Sequence, residues 1–97
     1  MGKIKIHIEY CGMWGYKPRS DQLQKIIQSQ FKSKMDEITI TAAAGRSSSF
    51  EVTITTAEGE TSLVHSKLGG AGHINNESVL TIMNAINSAG SFGITLK

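Results

Sequence analysis

The feature that most constrains the fold is a strictly alternating run near the N-terminus, Lys3–Tyr10. Alternation with a period of two, in residue types that favour extended backbone, is a strong signal of a β-strand with one buried face. The apolar face of this run consists of Ile4, Ile6, Ile8 and Tyr10. We predict a strand that stops at Cys11, because the glycines at positions 12 and 15 indicate an irregular loop.

Two segments have the periodicity of amphipathic helices. Pro18 suits the first turn of the first helix, where no amide donor is needed. The predicted buried stripe of this helix is Leu23, Ile26, Ile27 and Phe31. Asn75 or Asn76 is expected to cap a last helix by accepting a hydrogen bond from a backbone amide. The buried stripe of that helix is predicted to be Val79, Ile82, Met83 and Ile86.

Three further strands are predicted between these helices. Asp36–Ala43 is the first of them, followed by turn residues at 44–48. The next strand alternates Phe50, Val52 and Ile54 with the polar residues Glu51, Thr53 and Thr55. A hairpin connection over 57–60 then leads into a final strand, Ser62–Ser66, and glycines at 69, 70 and 72 break the chain again.

The resulting order, β-α-β-β-β-α, predicts a mixed α/β (α+β) domain over residues 1–97. Its first β-α-β unit is expected to be a right-handed parallel crossover. The later strands complete a four-stranded mixed sheet, which is the minimal thioredoxin-like plan. Residues 90–97 are expected to form a frayed tail rather than a fifth strand.

Composition excludes several classes of function. A net charge of +2 without a Lys/Arg cluster argues against nucleic acid as a partner, and no apolar run approaches the roughly 20 residues of a membrane span. With no export signal and a single cysteine, the cytoplasm is the expected compartment. Cys11 and the histidines match no compact zinc pattern, so we expect no metal and no bound cofactor. His65 and His73 are expected on the surface, although either is a candidate base for a thiol.

Cys11 is the residue that carries chemistry. It lies between a predicted strand and a predicted helix, where helix N-terminal amides favour an anion and thus the reactive thiolate. Gly12 and Gly15 allow the backbone to approach the sulfur of a substrate closely. On position alone, the alternative that Cys11 is an ordinary apolar residue at a strand end remains open.

The segment Tyr10–Pro18 resembles the redox loop of the selenoprotein W-related, thioredoxin-like family. That family has Cys-x-x-Sec or Cys-x-x-Cys at this place, followed by a Gly-Tyr-Lys-Pro-like stretch. Supporting matches follow in the family's order, and the resemblance extends from about residue 3 to residue 89. These matches are Phe50–Val52, Leu63–Lys67, Gly70–Gly72 and Glu77–Ser78.

The resemblance implies a thiol oxidoreductase in which Cys11 is catalytic and Gly12, Met13 and Gly15 belong to the redox loop. Trp14 stands at the position of the family's selenocysteine or second cysteine. Glutathione is the implied co-substrate, and protein thiols and 14-3-3 proteins are the implied partners. The proline that many thioredoxin-like proteins place before the third strand has no counterpart in residues 42–49.

A tryptophan at position 14 leaves three explanations open. A selenocysteine codon, UGA, has been read or rewritten as tryptophan; or the protein works with one thiol; or redox function is lost and the fold is kept for binding. The alternative function is therefore a non-catalytic protein-binding module on a thioredoxin-like scaffold.

Overall fold

The computed structural model describes residues 3–12, 16–71 and 75–96, and its elements confirm the predicted order. The strands are β1 (Ile4–Cys11), β2 (Ile38–Gly45), β3 (Phe50–Thr55) and β4 (Thr61–Ser66). The helices are α1 (Tyr16–Gln30) and α2 (Asn76–Gly90). Two short elements complete the chain, a 3₁₀ helix at Lys32–Glu37 and a one-turn π-helical segment at Lys67–Ala71, here called the Lys67–Ala71 turn.

The four strands form one mixed sheet in the order β2-β1-β3-β4. β1 pairs in parallel with β2, and α1 forms the crossover between them. β3 pairs antiparallel with both β1 and β4. This arrangement confirms the predicted four-stranded thioredoxin-like plan.

The core lies on one face of the sheet. The apolar face of β1 is almost completely buried, and the predicted stripes of both helices pack against the core. The residues at its centre are Ile4, Ile6, Ile8, Leu23, Ile27, Phe31, Phe50, Val52, Ile54, Ile82, Met83 and Ile86. Ile26 and Val79 are partly buried at its margin. On the opposite face of β1, Lys5 and His7 are exposed and Glu9 is half-buried.

Both ends of the second strand differ by two residues from the sequence prediction, and β4 starts one residue earlier than predicted, at Thr61. Cys11 is the last residue of β1, because β1 stays in parallel register with β2 from Ile4 opposite Ile38 to Cys11 opposite Gly45. The second strand consequently runs two residues further than predicted and includes Ala44 and Gly45, which the sequence placed in a turn. It also starts two residues later, since Asp36 and Glu37 belong to the 3₁₀ helix.

The two ends of α2 are held by asparagine side chains. Of the two predicted candidates, Asn75 is the cap, and its Oδ1 accepts a hydrogen bond from the Ser78 amide at 2.8 Å. The Asn87 side chain binds the following segment, because it donates a hydrogen bond to the Ile94 carbonyl at 2.8 Å and accepts one from the Ile94 amide at 3.0 Å. Residues 91–96 form no strand, and their apolar side chains pack against the core, with the Phe92 ring 5.7 Å from that of Phe31.

None of the helices within 3–12, 16–71 and 75–96 is long and apolar enough to cross a bilayer.

Candidate functional site

The candidate site lies at the edge of the sheet where β1 and β2 end. Cys11 closes β1 opposite Gly45, and its amide donates to the Ser49 carbonyl at 2.9 Å. Because β3 and β4 run antiparallel to their neighbours, β3 begins and β4 ends at this same edge. The first residue of α1, Tyr16, follows Cys11 by five positions. The fold thus brings the segments that adjoin all four strands to the same edge of the sheet as the cysteine.

Cys11 itself is buried, with 3% of its surface exposed. Its neighbour Gly12 lies close to β2, since a Cβ atom added there would be 3.3 Å from the Ala44 Cβ. The remaining predicted loop residues, Met13, Trp14 and Gly15, lie outside the described residues. Because so little of Cys11 is exposed, a large reaction partner can reach its sulfur only if the neighbouring segments leave space for it.

A first carboxylate near this edge, Glu9, ties the segment after β2 to β1. Its Oε2 accepts hydrogen bonds from the backbone amide of Arg46 at 2.7 Å and from Nε at 2.9 Å, while Oε1 accepts from Nη2 at 2.9 Å. These bonds from Arg46 lower the pKa of Glu9 from 4.5 to about 2. The ion pair lies at the surface, with 65% of the Arg46 side chain and 22% of the Glu9 side chain exposed.

A second carboxylate, Glu51, is buried, although the alternation of β3 predicted it on the polar face. It stands directly opposite Glu9 in the β1–β3 register and is 5% exposed. Its carboxylate accepts hydrogen bonds from the Ser66 hydroxyl, from the Leu68 amide at 3.1 Å and from the Phe50 amide at 3.3 Å. Burial alone would raise the pKa of Glu51, but the hydrogen bonds, first of all that from Ser66, outweigh it and lower the pKa from 4.5.

Ser66 meets Glu51 because of a β-bulge between β3 and β4. Thr53 is opposite Leu63, whereas its neighbour Val52 is opposite His65, so Val64 is the extra residue. Bulges of this kind re-aim the side chains that follow them. Without the extra residue, His65 rather than Ser66 would stand opposite Glu51.

The histidines occupy different environments. His7 is exposed and its Nδ1 lies 2.7 Å from the Thr41 hydroxyl. His65 is buried at 6% exposure with its ring edge-on to Phe50 at 6.2 Å, so its predicted surface position is wrong. His73 lies outside the described residues. Among the residues the structure does describe, no three His, Cys, Asp or Glu side chains are grouped so as to hold a metal ion.

Sequence reasoning found Cys11 but missed the hydrogen-bonded carboxylates at the same edge of the sheet. Glu51 sits between Phe50 and Val52, and its burial depends on a bulge that has no signature in the sequence. Arg46 was assigned to a turn, where its pairing with Glu9 depends on the parallel register of β1 and β2.

Comparison with known proteins covers nearly the whole chain. A sequence model of the Rdx family matches residues 5–85. Selenoprotein W from Ovis aries is 36% identical over 87 residues, which are 89% of this chain and 93% of that protein. Selenoprotein W from Danio rerio is 32% identical over 87 residues, or 89% and 94% of the two chains.

Solved structures show a similar fold. A selenoprotein W-related protein from Vibrio cholerae superimposes with a TM-score of 0.65 at 14% identity, covering 90% of this chain and 96% of that one. A protein from Bordetella parapertussis gives a TM-score of 0.53 at 11% identity, with coverages of 88% and 98%. At these identities the likeness is one of fold, and it agrees with the β2-β1-β3-β4 sheet.

Proposed function

The chain belongs to the Rdx family, and from that premise we propose that it is a selenoprotein W-like thiol redox protein whose reacting group is Cys11. The observation that supports this most strongly is the position of Cys11, the only cysteine in the chain. It ends β1, five positions before α1 begins, at the sheet edge where the segments adjoining all four strands meet. The thiolate form of a cysteine is the nucleophile in disulfide exchange.

The proposed reaction is exchange with glutathione or protein disulfides, and it turns over when the substrate is a mixed disulfide between a protein and glutathione. The Cys11 thiolate attacks the glutathione sulfur of this substrate, the S–S bond breaks, and a mixed disulfide of Cys11 and glutathione forms while the protein thiol leaves as a thiolate. A second glutathione thiolate then attacks the mixed disulfide, which regenerates the Cys11 thiolate and releases glutathione disulfide. With a single cysteine, the chain depends on this external thiol to complete the cycle.

Position 14 decides whether a second redox atom takes part. The curated relatives are named selenoproteins, and the family motif puts selenocysteine or cysteine at the position of Trp14. We propose that a chalcogen at position 14 would replace the external thiol by bonding to Cys11. Mass spectrometry of the protein from its native source distinguishes selenium, sulfur and indole at this residue. A Trp14→Cys variant should lose two hydrogens on mild oxidation, whereas the Cys11→Ser/Trp14→Cys double variant should not.

The test of the function itself is mixed-disulfide formation. Incubation with glutathione disulfide should add one glutathionyl group to the chain, and subsequent reduced glutathione should remove it, as followed by intact mass. Cys11→Ser is the negative control because it removes the only thiol. A wild-type thiol that neither forms the adduct nor reacts with iodoacetamide in the folded state would contradict the redox function.

The burial of Cys11 favours one alternative, a protein-binding module without catalysis. A cysteine that is 3% exposed resembles the inert apolar cysteines of protein interiors. In that case 14-3-3 proteins are the first partners to test. A slowly alkylated Cys11, together with partner binding unchanged by Cys11→Ser, would support the module over the enzyme.

We propose the cytoplasm as the compartment, since a free thiol is kept reduced there. Fractionation of the native source tests this placement.

A further inference from the structure

Ser49 carries a buried hydroxyl that has no hydrogen-bond partner, next to the end of β1. None of its surface is exposed, and its Oγ is the one buried side-chain oxygen or nitrogen atom without a partner within residues 3–12, 16–71 and 75–96. An unpaired buried hydroxyl is costly, and native proteins keep few such groups. Catalysis is one of the roles for which they are kept.

The backbone places Ser49 directly opposite Cys11. The antiparallel register of β1 and β3 pairs Tyr10 with Phe50, so the next pair along these segments is Cys11 with Ser49. The Cys11 amide donates to the Ser49 carbonyl at 2.9 Å, which shows that the pairing continues beyond the first residue of β3. The Cβ atoms of directly opposite residues are about 4.5–5.5 Å apart. Rotation about χ1 can therefore bring a serine hydroxyl to a cysteine sulfur when both side chains lie on the same face.

Both side chains lie on the face of the sheet that carries Glu9. Side chains alternate between the faces along a strand, so Cys11 shares the face of Glu9 and not that of Tyr10, which packs against the core. Cys11 is buried but lies outside the core cluster on the other face. Arg46 is the main cause of the low pKa of Glu9, and the Ser49 hydroxyl adds a smaller contribution, which places this hydroxyl near Glu9. The unpaired hydroxyl and the thiol are thus neighbours on one face.

Of the two cross-strand neighbours of Cys11, only Ser49 has a side chain that can donate a hydrogen bond. The other neighbour is Gly45 on β2. A Cβ atom at Gly45 would overlap with the Glu9 side chain, so a carboxylate fills the space above this glycine. An ionised carboxylate accepts hydrogen bonds but donates none.

The charged groups on this face do not supply the missing partner for a thiolate. Glu9 on β1 and Glu51 on β3 are negative, and like charges nearby disfavour a second anion. Arg46, which follows β2, is positive, but its Nε and Nη2 donate to the Glu9 carboxylate at 2.9 Å each. A thiolate at Cys11 is therefore favoured by an additional neutral donor on this face.

We propose that the Ser49 hydroxyl donates a hydrogen bond to the Cys11 sulfur when this sulfur is ionised. A neutral thiol is a weak acceptor, which accounts for a hydroxyl that stays unpaired beside it. A thiolate is a full anion, and hydrogen bonds to ionised groups are roughly twice as strong as those between neutral groups. The inference rests on the proposed function, because the thiolate is the form that attacks a disulfide. Ser49 is then a second catalytic residue, since its hydroxyl contacts the reacting atom.

The experiment titrates the single thiol in the wild type, in Ser49→Ala and in Ser47→Ala. Ser47 is an exposed serine in the same connection, so its replacement is the matched control. Thiolate formation is followed by ultraviolet absorbance as the pH rises, and the titration of Cys11→Ser is subtracted to remove the tyrosine signal. Ser49→Ala should raise the midpoint of the titration by about one pH unit, the order expected for one hydrogen bond to a charged group. Ser47→Ala should keep the wild-type midpoint.

Urea unfolding below neutral pH separates this role from a structural one. Ser49→Ala removes a hydroxyl that holds no hydrogen bond while the thiol is neutral, so the variant should fold and keep the wild-type urea midpoint. A lowered urea midpoint together with an unchanged thiol titration would show that the hydroxyl is structural, and it would overturn the bond to Cys11.

The rate of adduct formation with glutathione disulfide distinguishes failure of this inference from failure of the proposed function. Below the titration midpoint, Ser49→Ala should react about threefold more slowly, because the loss of thiolate is partly offset by the greater nucleophilicity of a more basic thiolate. Equal midpoints and equal rates in the wild type and Ser49→Ala would overturn the role of Ser49 alone. A wild type that forms no adduct, but whose titration midpoint still depends on Ser49, would overturn the proposed function and keep the hydrogen bond.

Discussion

Glu9 and Glu51 face each other across the β1–β3 pair, yet they stabilise the protein by different means. Glu9 is paired with a cation at the surface, and its partner Arg46 is mostly exposed. Glu51 is buried and is satisfied by a hydroxyl and backbone amides. Each carboxylate anchors the segment that follows one of the two outer strands of the sheet. Glu9 anchors the segment after β2, and Glu51 anchors the segment after β4. Cys11 lies on β1, between these outer strands.

The difference in burial indicates which of the two carboxylates contributes more to the stability of the site. A solvent-exposed ion pair contributes little, because water and salt screen it and two long side chains must be ordered. A buried acceptor cannot be removed without leaving its donors unpaired. Glu9 and Glu51 carry like charges opposite each other and repel. The Arg46 guanidinium offsets this repulsion, and its pKa is raised by Glu9 first and by Glu51 to a lesser extent.

The largest expected difference is between Glu51→Ala and Glu9→Ala. Removing Glu51 leaves the Leu68 amide and the Ser66 hydroxyl without their buried acceptor, which should lower the free energy of unfolding by about 2–3 kcal/mol. Removing Glu9 should lower it by about 1 kcal/mol or less. Urea unfolding measures both, with Glu58→Ala as the exposed control. Equal losses at Glu9 and Glu51 would show that burial does not distinguish the two anchors.

The sequence predicted the parts of this arrangement that depend on local pattern. β1, β3 and α2 were found because apolar residues recur with a clear period, and the Asn75 cap was found because asparagine suits that position. Cys11 was found because its loop carries a recognisable motif. The extension of β2 to Gly45 was missed, since the residues at 42–45 are small and show no apolar periodicity.

The Glu51 anchor was missed for a different reason. Its partner Ser66 is 15 residues away, and their pairing depends on one extra residue in β4. Residues 63–66 are two apolar residues followed by two polar ones, a pattern that fits a regular strand and a bulged one equally well. Long-range register of this kind is decided by tertiary packing, so a single sequence carries no local signal for it.

Alanine substitutions at Gly69 and Gly45 further test the difference between the Glu51 and Glu9 anchors. At Gly69, a Cβ atom would lie 2.9 Å from Ser66 Oγ and 3.2 Å from Ser66 Cβ, so Gly69→Ala should cost about 1–2 kcal/mol of unfolding free energy. At Gly45 the overlap is with the Glu9 side chain, which can turn away. Gly45→Ala should therefore cost about 1 kcal/mol, the value of the lost pairing with Arg46.

A double variant separates these two causes. In a Glu9→Ala background, Gly45→Ala should cost almost nothing further, because the overlapping side chain is gone. Additive losses at Gly45 and Glu9 would mean that the alanine disturbs the β1–β2 backbone instead.

Acid should weaken the Glu9 anchor over a defined range of pH. The pKa of Glu9 is lowered to about 2 in the folded protein from 4.5, so the folded state favours the ionised form. Its contribution is complete above pH 4.5 and is lost as the pH falls toward 2. The difference in unfolding free energy between wild type and Glu9→Gln, about 1 kcal/mol at neutral pH, should shrink over this range. A difference that stays constant from pH 6 to pH 2.5 would contradict the pairing with Arg46.

The smallest expected effect concerns the contact that joins the Glu51 side of the site to α1. Lys67→Met keeps most of the side-chain length but removes the charge over the Tyr16 ring, which should cost about 0.5 kcal/mol. A double-mutant cycle with Tyr16→Leu isolates the contact from the other interactions of either residue. A coupling of this size would mean that the turn and the start of α1 are held together as well as each being held to the sheet. A coupling of zero would mean that this contact does not hold the turn to α1, and displacement of the turn would then leave the start of α1 in place.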